Sequence, residues 1–350
     1  MPNKSKIRKI LIIKFRYIGD TVLTTPLIRA LKEGIPDAQI DIAVNRGTES
    51  MLWGHPFIGK IWTLDYRTFK TNFLYAIHFI RNLQREGYDL TIDLTNNDRS
   101  ALLSLLTRAQ MRIGYQRAYR IRKKLVYTHF IQSALGETHT VDHHLKVARF
   151  LGLSIKNRHP EILVERSRAE AVEKRLFDAG INPNDPFVLI HPGARKPYKR
   201  WPIERFSQLG DDIIRKFHFR VIIGGGPGDL ELCDKLISYM KLEAFNLAGK
   251  VPLRDLPALI QRGLCLIGND SAPIHIATSV KTPTVSLFGP TRWEDWAPRR
   301  PTDQVLAAEY PCRPCGHSQK HCPLDTNYCM ASISYESVWH AVAKILSGRL

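Results

Sequence analysis

At 350 residues the chain is long for one domain and comfortable for two, and a hydrophobic content of 44% excludes an intrinsically disordered protein. No stretch approaches the roughly 18 apolar residues of a spanning helix. The apolar run Ile10–Ile13 behind the basic N-terminus is too short for a signal peptide, so a cytoplasmic location is expected. Lys and Arg number 51 against 33 Asp and Glu, a formal net charge of +18. That balance suits nucleic acid, an anionic membrane surface or a phosphorylated substrate, without choosing among them.

Taken in chain order, the hydrophobic pattern alternates strand and helix. Ile10–Ile13 reads as a strand, followed by a turn at Gly19-Asp20 and a helix with Leu23, Leu27 and Leu31 at helical spacing. Strands are predicted over Gln39–Val44, Ile61–Leu64 and Leu90–Leu94, with an amphipathic helix over Phe73–Gln84. A more polar region holds a connecting strand, Glu161–Val164, and a helix, Ser167–Ala179. Then follow strand Phe187–Ile190, helix Arg205–Lys216, strand Phe219–Ile223 and helices Asp229–Met240 and Leu253–Arg262. Strand Leu264–Ile267, a short helix Ile274–Val280 and a strand within Thr282–Pro290 complete the series. Repeated βαβ units imply parallel sheets covered by helices. The fold class is therefore α/β, with two doubly wound Rossmann-like domains, 1–165 and 166–335, facing across a substrate cleft.

Ligand sites in such folds lie at the carboxyl ends of strands. After the first strand, Lys14-Phe15-Arg16-Tyr17-Ile18-Gly19-Asp20-Thr21 places a carboxylate where it can cap a helix or act as a general base; by position the cap is the simpler role. The glycines of a G-x-G-x-x-G dinucleotide fingerprint are missing there, which weakens an oxidoreductase reading. In the second half, His191-Pro192-Gly193-Ala194-Arg195-Lys196-Pro197-Tyr198-Lys199-Arg200-Trp201-Pro202 packs four cations into six positions, Arg195 to Arg200. Gly224-Gly225-Gly226-Pro227-Gly228-Asp229 lets backbone approach a ligand closely. Gly268-Asn269-Asp270-Ser271-Ala272-Pro273-Ile274-His275 turns from a buried strand into a helix whose N-terminal amides suit a phosphate, with Asp270 or Ser271 as its cap. Cations opposite such a helix end form a clamp for a diphosphate leaving group.

Together these segments resemble the family 9 glycosyltransferases, the bacterial heptosyltransferases of lipopolysaccharide core assembly. The resemblance runs over almost the whole length. It is carried by Ile10-Leu11-Ile12-Ile13-Lys14 with Gly19-Asp20-Thr21 and Thr25-Pro26, by His191-Pro192-Gly193 with Lys199-Arg200-Trp201-Pro202, by Gly268-Asn269-Asp270-Ser271-Ala272 with His275, and by Pro283–Gly289. The N-terminal spacing is most similar to the heptosyltransferase III type. The resemblance implies the two-lobed GT-B fold and metal-independent, inverting transfer of heptose from ADP-heptose to the inner core. It implies Asp20 as general base, Lys199 on the donor phosphates, Asp270 near the donor sugar, and the amides of Ser271 and Ala272 on the phosphates, with His275 one turn further. Gly249-Lys250-Val251 corresponds to the stretch bordering the adenine. Some members carry threonines in place of Gly193 and Ala194, so Arg195 is expected to replace those phosphate contacts. Some carry a ribose-binding glutamate in the loop that here reads Gly226-Pro227-Gly228-Asp229, where Asp229 is the substitute. A last helix within 336–350 is expected to pack back on the first domain, as in relatives.

The resemblance places acceptor binding in the first half. Arg108, Arg112, Arg117, Arg120, Arg122, Lys123 and Lys124 fall in an acid-free stretch, which reads either as a solvated face or as contact with a lipid A–Kdo–heptose acceptor and the anionic inner-leaflet surface. Cys312, Cys315, Cys322 and Cys329 lie within 18 residues, with His317 and His321 inside the cluster. Four thiols match the ligand number of a structural zinc site, although the spacing after Cys315 is not that of a paired CxxC knuckle; an iron–sulfur cluster is the alternative. A zinc-stabilised nucleic-acid-binding protein would account for the charge and the cysteines. It leaves Asp20, Lys199 and Asp270 at three strand ends unexplained, and no nucleic-acid module is recognisable, so no nucleic-acid partner is expected.

Overall fold

The computed structural model describes residues 6–116, 125–133, 136–315, 322 and 328–349, and the chain divides into two compact units, Met1–Leu163 and Val164–Leu350. The first unit contains strands β1 (Lys9–Lys14), β2 (Gln39–Asn45), β3 (Ile61–Leu64), β4 (Leu90–Asp93), β5 (Met111–Gln116) and β6 (His129–Gln132). Its helices are α1 (Ile18–Val22), α2 (Thr25–Gly34), α3 (Tyr66–Thr71), α4 (Phe73–Arg85), α5 (Asp98–Leu106) and α6 (Thr140–Phe150). The second unit contains helix α7 (Arg166–Asp178), strands β7 (Phe187–His191), β8 (Arg220–Ile223), β9 (Phe245–Asn246), β10 (Cys265–Asn269), β11 (Thr284–Phe288) and β12 (Gln304–Ala307), and helices α8 (Ile203–Phe217), α9 (Leu230–Tyr239), α10 (Leu256–Arg262), α11 (Ala272–Ser279), α12 (Tyr328–Ala331) and α13 (Tyr335–Ser347).

Both sheets are six-stranded and every pairing between these strands is parallel. The first runs β3-β2-β1-β4-β5-β6 and the second β9-β8-β7-β10-β11-β12, the same doubly wound order twice. The order in which the chain adds strands across the sheet therefore reverses between β1 and β4 and again between β7 and β10. Central strands are buried on both faces, as parallel sheets require: Ile10–Ile13 and Val188–Ile190 are at most 1% exposed.

Several elements differ from the predicted ones. The connecting strand predicted at Glu161–Val164 does not form. The Glu161 amide donates to the Thr25 hydroxyl (2.9 Å) and its carboxylate pairs with Arg29, so both groups engage α2 rather than a neighbouring strand. The last helix belongs to the second unit. In α13, Val338, Ala341, Val342 and Leu346 are buried in the second unit's core with Phe206, Ile213, Val285 and Leu287. An apolar stripe on α13 covers the β10–β12 face of the sheet beside α8, a surface that would otherwise stand open.

Strands β5 and β6 were not predicted, because their residues fall around the cation-rich stretch and Gly114 breaks the apolar pattern. The structure shows why glycine stands there. A Cβ at Gly114 would lie 2.5 Å from the Tyr127 ring, whose hydroxyl donates to the buried Asp93 carboxylate (2.6 Å). Gly114→Ala should displace that ring and destabilise the fold by about 1–3 kcal/mol, the usual cost of overpacking. Urea denaturation measures this, and an unchanged midpoint would contradict the packing described.

Candidate functional site

The residues singled out in the second unit converge at the carboxyl ends of β7, β8, β10 and β11. Two glycine positions allow this. A Cβ at Gly268 would come within 2.8 Å of the His191 carbonyl oxygen, and one at Gly193 within 2.6 Å of the Asp229 carboxylate. Asn269, fully buried at the end of β10, joins the loops: its Oδ1 accepts from the Trp201 amide (3.0 Å) and its Nδ2 donates to the Pro192 carbonyl (2.7 Å). Both ends of the cationic loop are thereby fixed to β10. Trp201 is 1% exposed, and its Nε1 donates to the Ile333 carbonyl (2.9 Å), tying the same loop to the segment before α13.

Lys199 is held by this frame with Nζ 2.6 Å from Asp270 Oδ2. Burial alone would push the Asp270 carboxyl up. The Lys199 cation and its hydrogen bond, the Thr291 hydroxyl and His275 outweigh burial and hold the carboxyl below its ordinary value. Ser271 stands at the N-cap position of α11, yet makes no capping bond; its hydroxyl donates instead to the Asn269 carbonyl (3.1 Å). Ser271 thus takes the expected N-cap position without a side-chain capping bond. The helix end beside Lys199, at Ser271 and Ala272, thus keeps uncapped amides for an anion. His275 is buried in the first turn, its ring 6.4 Å from that of Trp296. Arg195 is exposed at the start of the cationic loop.

The glycine-rich loop adjoins this group. Asp229 Oδ2 accepts from the Gly226 amide (3.0 Å), and Oδ1 faces Arg200 at 3.9 Å. Its carboxylate is turned into the loop, filling the space left by Gly193. Gly249, at φ +69°, donates its amide to the Gly225 carbonyl (2.9 Å), which brings Val251 to the same edge. His191, at the end of β7, is lowered in pKa by burial, with Asp229 opposing that effect.

In the first unit Asp20 is not a cap. It lies inside α1, whose N-cap is Tyr17, and its carboxylate, 16% exposed, turns back to Lys14 with Oδ1 3.4 Å from Nζ. Arg112, expected at the acceptor, is committed to backbone: Nε donates to the Val126 carbonyl and Nη1 to the Ala109 carbonyl, both at 2.6 Å. It braces β5 rather than offering a free guanidinium. Arg117, Arg120 and Lys123 lie outside the described residues. Of the cysteines, Cys312 is exposed, Cys315 and Cys322 are half-buried and Cys329 is buried; all are free thiols. Burial and their neighbouring thiols raise the pKa of Cys315 and of Cys329. Among the described residues no group of three His, Cys, Asp or Glu side chains that could hold a metal ion is found; His317 and His321 lie outside the described residues. Sequence reasoning missed Asn269 and Thr291; a polar residue ending a buried strand was the available signal for the first.

Comparison with known proteins identifies the family and the fold. Residues 76–324 match the model of glycosyltransferase family 9 (heptosyltransferase). The chain is 32% identical over 343 residues to lipopolysaccharide heptosyltransferase 3 of Escherichia coli (strain K12), covering 95% of this chain and 96% of that one. Among solved structures, a family 9 glycosyl transferase from Veillonella parvula superposes with a TM-score of 0.83 at 23% identity, over 97% of both chains. The E. coli ADP-heptose lps heptosyltransferase II superposes at 0.80 and 19% identity, over 97% of this chain and 99% of that one. The two sheets with their helices have the GT-B fold of these neighbours.

The Lys199–Asp270 pair has a pH signature. Because the folded chain holds the Asp270 carboxyl below 3.8, its ionised form stabilises the fold at pH values above the unfolded value, and that contribution is lost as the pH falls through the folded one. The stability advantage of the wild type over Lys199→Met in urea should be largest at neutral pH and shrink on acidification. An advantage that grows towards low pH would contradict the assignment.

Proposed function

The chain belongs to glycosyltransferase family 9, and we propose that it transfers heptose from ADP-heptose to the inner core of lipopolysaccharide by a single inverting displacement. One observation carries the donor assignment: the Lys199 ammonium, 2.6 Å from Asp270, stands beside the uncapped N-terminus of α11. A cation and a set of free amides at one strand end suit a diphosphate. On this reading the donor phosphates engage Lys199, the amides of Ser271 and Ala272, and Arg195, while Asp270 and His275 border the sugar. Gly226, Asp229 and Val251 border the nucleoside. Asp229 reaches the ribose only by leaving its bond to Gly226, so the backbone of that loop is the more direct contact.

In the reaction, Asp20 takes the proton of the acceptor hydroxyl, and the acceptor oxygen attacks the anomeric carbon. The bond from that carbon to the phosphate oxygen breaks, and ADP leaves with its charge met by Lys199 and the α11 amides. Those groups supply the electrostatic role that a divalent cation fills elsewhere, and on that basis we assign a metal-independent reaction. The acceptor is a lipid A–Kdo–heptose, met at an anionic membrane surface for which the +18 charge provides attraction. Among the described residues no helix is long and apolar enough to cross a membrane.

Two variants separate the roles. Asp20→Asn should lower kcat by about 10²–10⁴-fold, the usual contribution of a general base, with donor affinity retained. Lys199→Ala should weaken ADP-heptose binding by about 10–100-fold, the loss of one charge-assisted hydrogen bond. Steady-state kinetics and calorimetry read these out; undiminished turnover in Asp20→Asn would remove the proposed base.

A further inference from the structure

Two buried ionisable side chains of the first unit have no role so far. Lys14, the last residue of β1, is 4% exposed, and His144, on α6, is 1% exposed. Groups of this kind are costly to bury without partners, and their partners here are specific. His144 Nδ1 lies 3.0 Å from the Leu23 carbonyl oxygen. A carbonyl only accepts, so Nδ1 carries the ring proton and Nε2 is left as an acceptor. Lys14 Nζ is 3.1 Å from that Nε2 and 3.4 Å from Asp20 Oδ1. The chain of contacts therefore runs from the Leu23 carbonyl through His144 and Lys14 to Asp20, joining α6, β1 and α1.

The electrostatics agree with these polarities. Burial drives His144 well below its ordinary value, with Lys14, His143 and His139 adding to that effect, so the ring is neutral and its Nε2 lone pair is available. Burial also lowers Lys14; Asp20 and Asp93 oppose that shift, and Arg16 adds to it. A compact ammonium fits between a ring nitrogen and a carboxylate, where a planar guanidinium would not.

We propose that Lys14 is a positioning residue for the Asp20 carboxylate, and that neutral His144 fixes Lys14 in turn. Lys14 engages Oδ1 and so sets the orientation in which the second oxygen meets the acceptor hydroxyl. This rests on the reading of Asp20 as the base. Misplacing a reacting group by about 1 Å costs on the order of 10²-fold in rate. Lys14→Met should therefore lower kcat by about 10–100-fold while leaving KM for donor and acceptor near their wild-type values. His144→Leu should act in the same direction. His144→Gln, which places an amide oxygen near the position of Nε2, should restore most of the loss; a role in packing alone predicts no such rescue.

The experiment measures kcat and both KM values for the full chain with ADP-heptose and a deacylated Kdo- and heptose-bearing inner-core oligosaccharide, with Asp20→Asn alongside and thermal unfolding as a check on folding. Loss of kcat in Lys14→Met and His144→Leu, with recovery in His144→Gln, supports the inference. An inactive Asp20→Asn beside a fully active Lys14→Met overturns it and leaves the base in place. An active Asp20→Asn overturns the base reading and this inference with it. Should Lys14→Met fail to fold, the His144 pair decides, and equal turnover in His144→Leu and His144→Gln overturns the inference.

Discussion

Both halves of the chain depend on one topological constraint: the order of a doubly wound parallel sheet reverses beside its first strand. At that point the loops leaving two neighbouring strands turn to opposite faces, and a crevice opens at their carboxyl ends. In the first unit the reversal lies between β1 and β4, and α1, the helix that follows β1, carries Asp20. In the second it lies between β7 and β10, and the loops after these strands carry Lys199 and Asp270. Residues 71 positions apart in sequence meet in an ion pair because the sheet order makes their strands neighbours.

The crevice of the second unit is held by buried polar contacts that apolar packing alone would not supply. Asn269 bridges Pro192 and Trp201, and Trp201 and Arg205 both donate to the Ile333 carbonyl. Leaving any of these buried partners unmet costs more than the bond itself contributes. The C-terminal helix α13 is thereby coupled to the loop that carries Lys199, through the segment on which Trp201 and Arg205 rest. Its place in the second unit's core follows from the same economy, since its apolar stripe and the exposed face beside α8 satisfy each other.

Much of this was legible in the residues. The buried runs Ile10–Ile13 and Val188–Ile190 announce central parallel strands, and the turn residues at Gly19-Asp20 and Gly268-Asn269-Asp270 mark the strand ends at which the candidate site residues lie. Other features were not legible for physical reasons. β5 and β6 flank the cation-rich stretch, and one depends on a glycine that makes room for Tyr127. The fate of Arg112 is set by carbonyls of Val126 and Ala109, which no charge pattern reveals. Asp20 sits where a cap would by sequence, but the buried ammonium of Lys14 draws its carboxylate back into the fold.

The central claim is that the second unit binds ADP-heptose through a cation and helix amides in place of a divalent metal. Calorimetric titration of the full chain with ADP-heptose and with a UDP-sugar, each with and without EDTA, tests it most directly. The account predicts saturable ADP-heptose binding that EDTA leaves unchanged, and no comparable binding of the UDP-sugar. Preference for the UDP-sugar, or loss of ADP-heptose binding in EDTA, would contradict it.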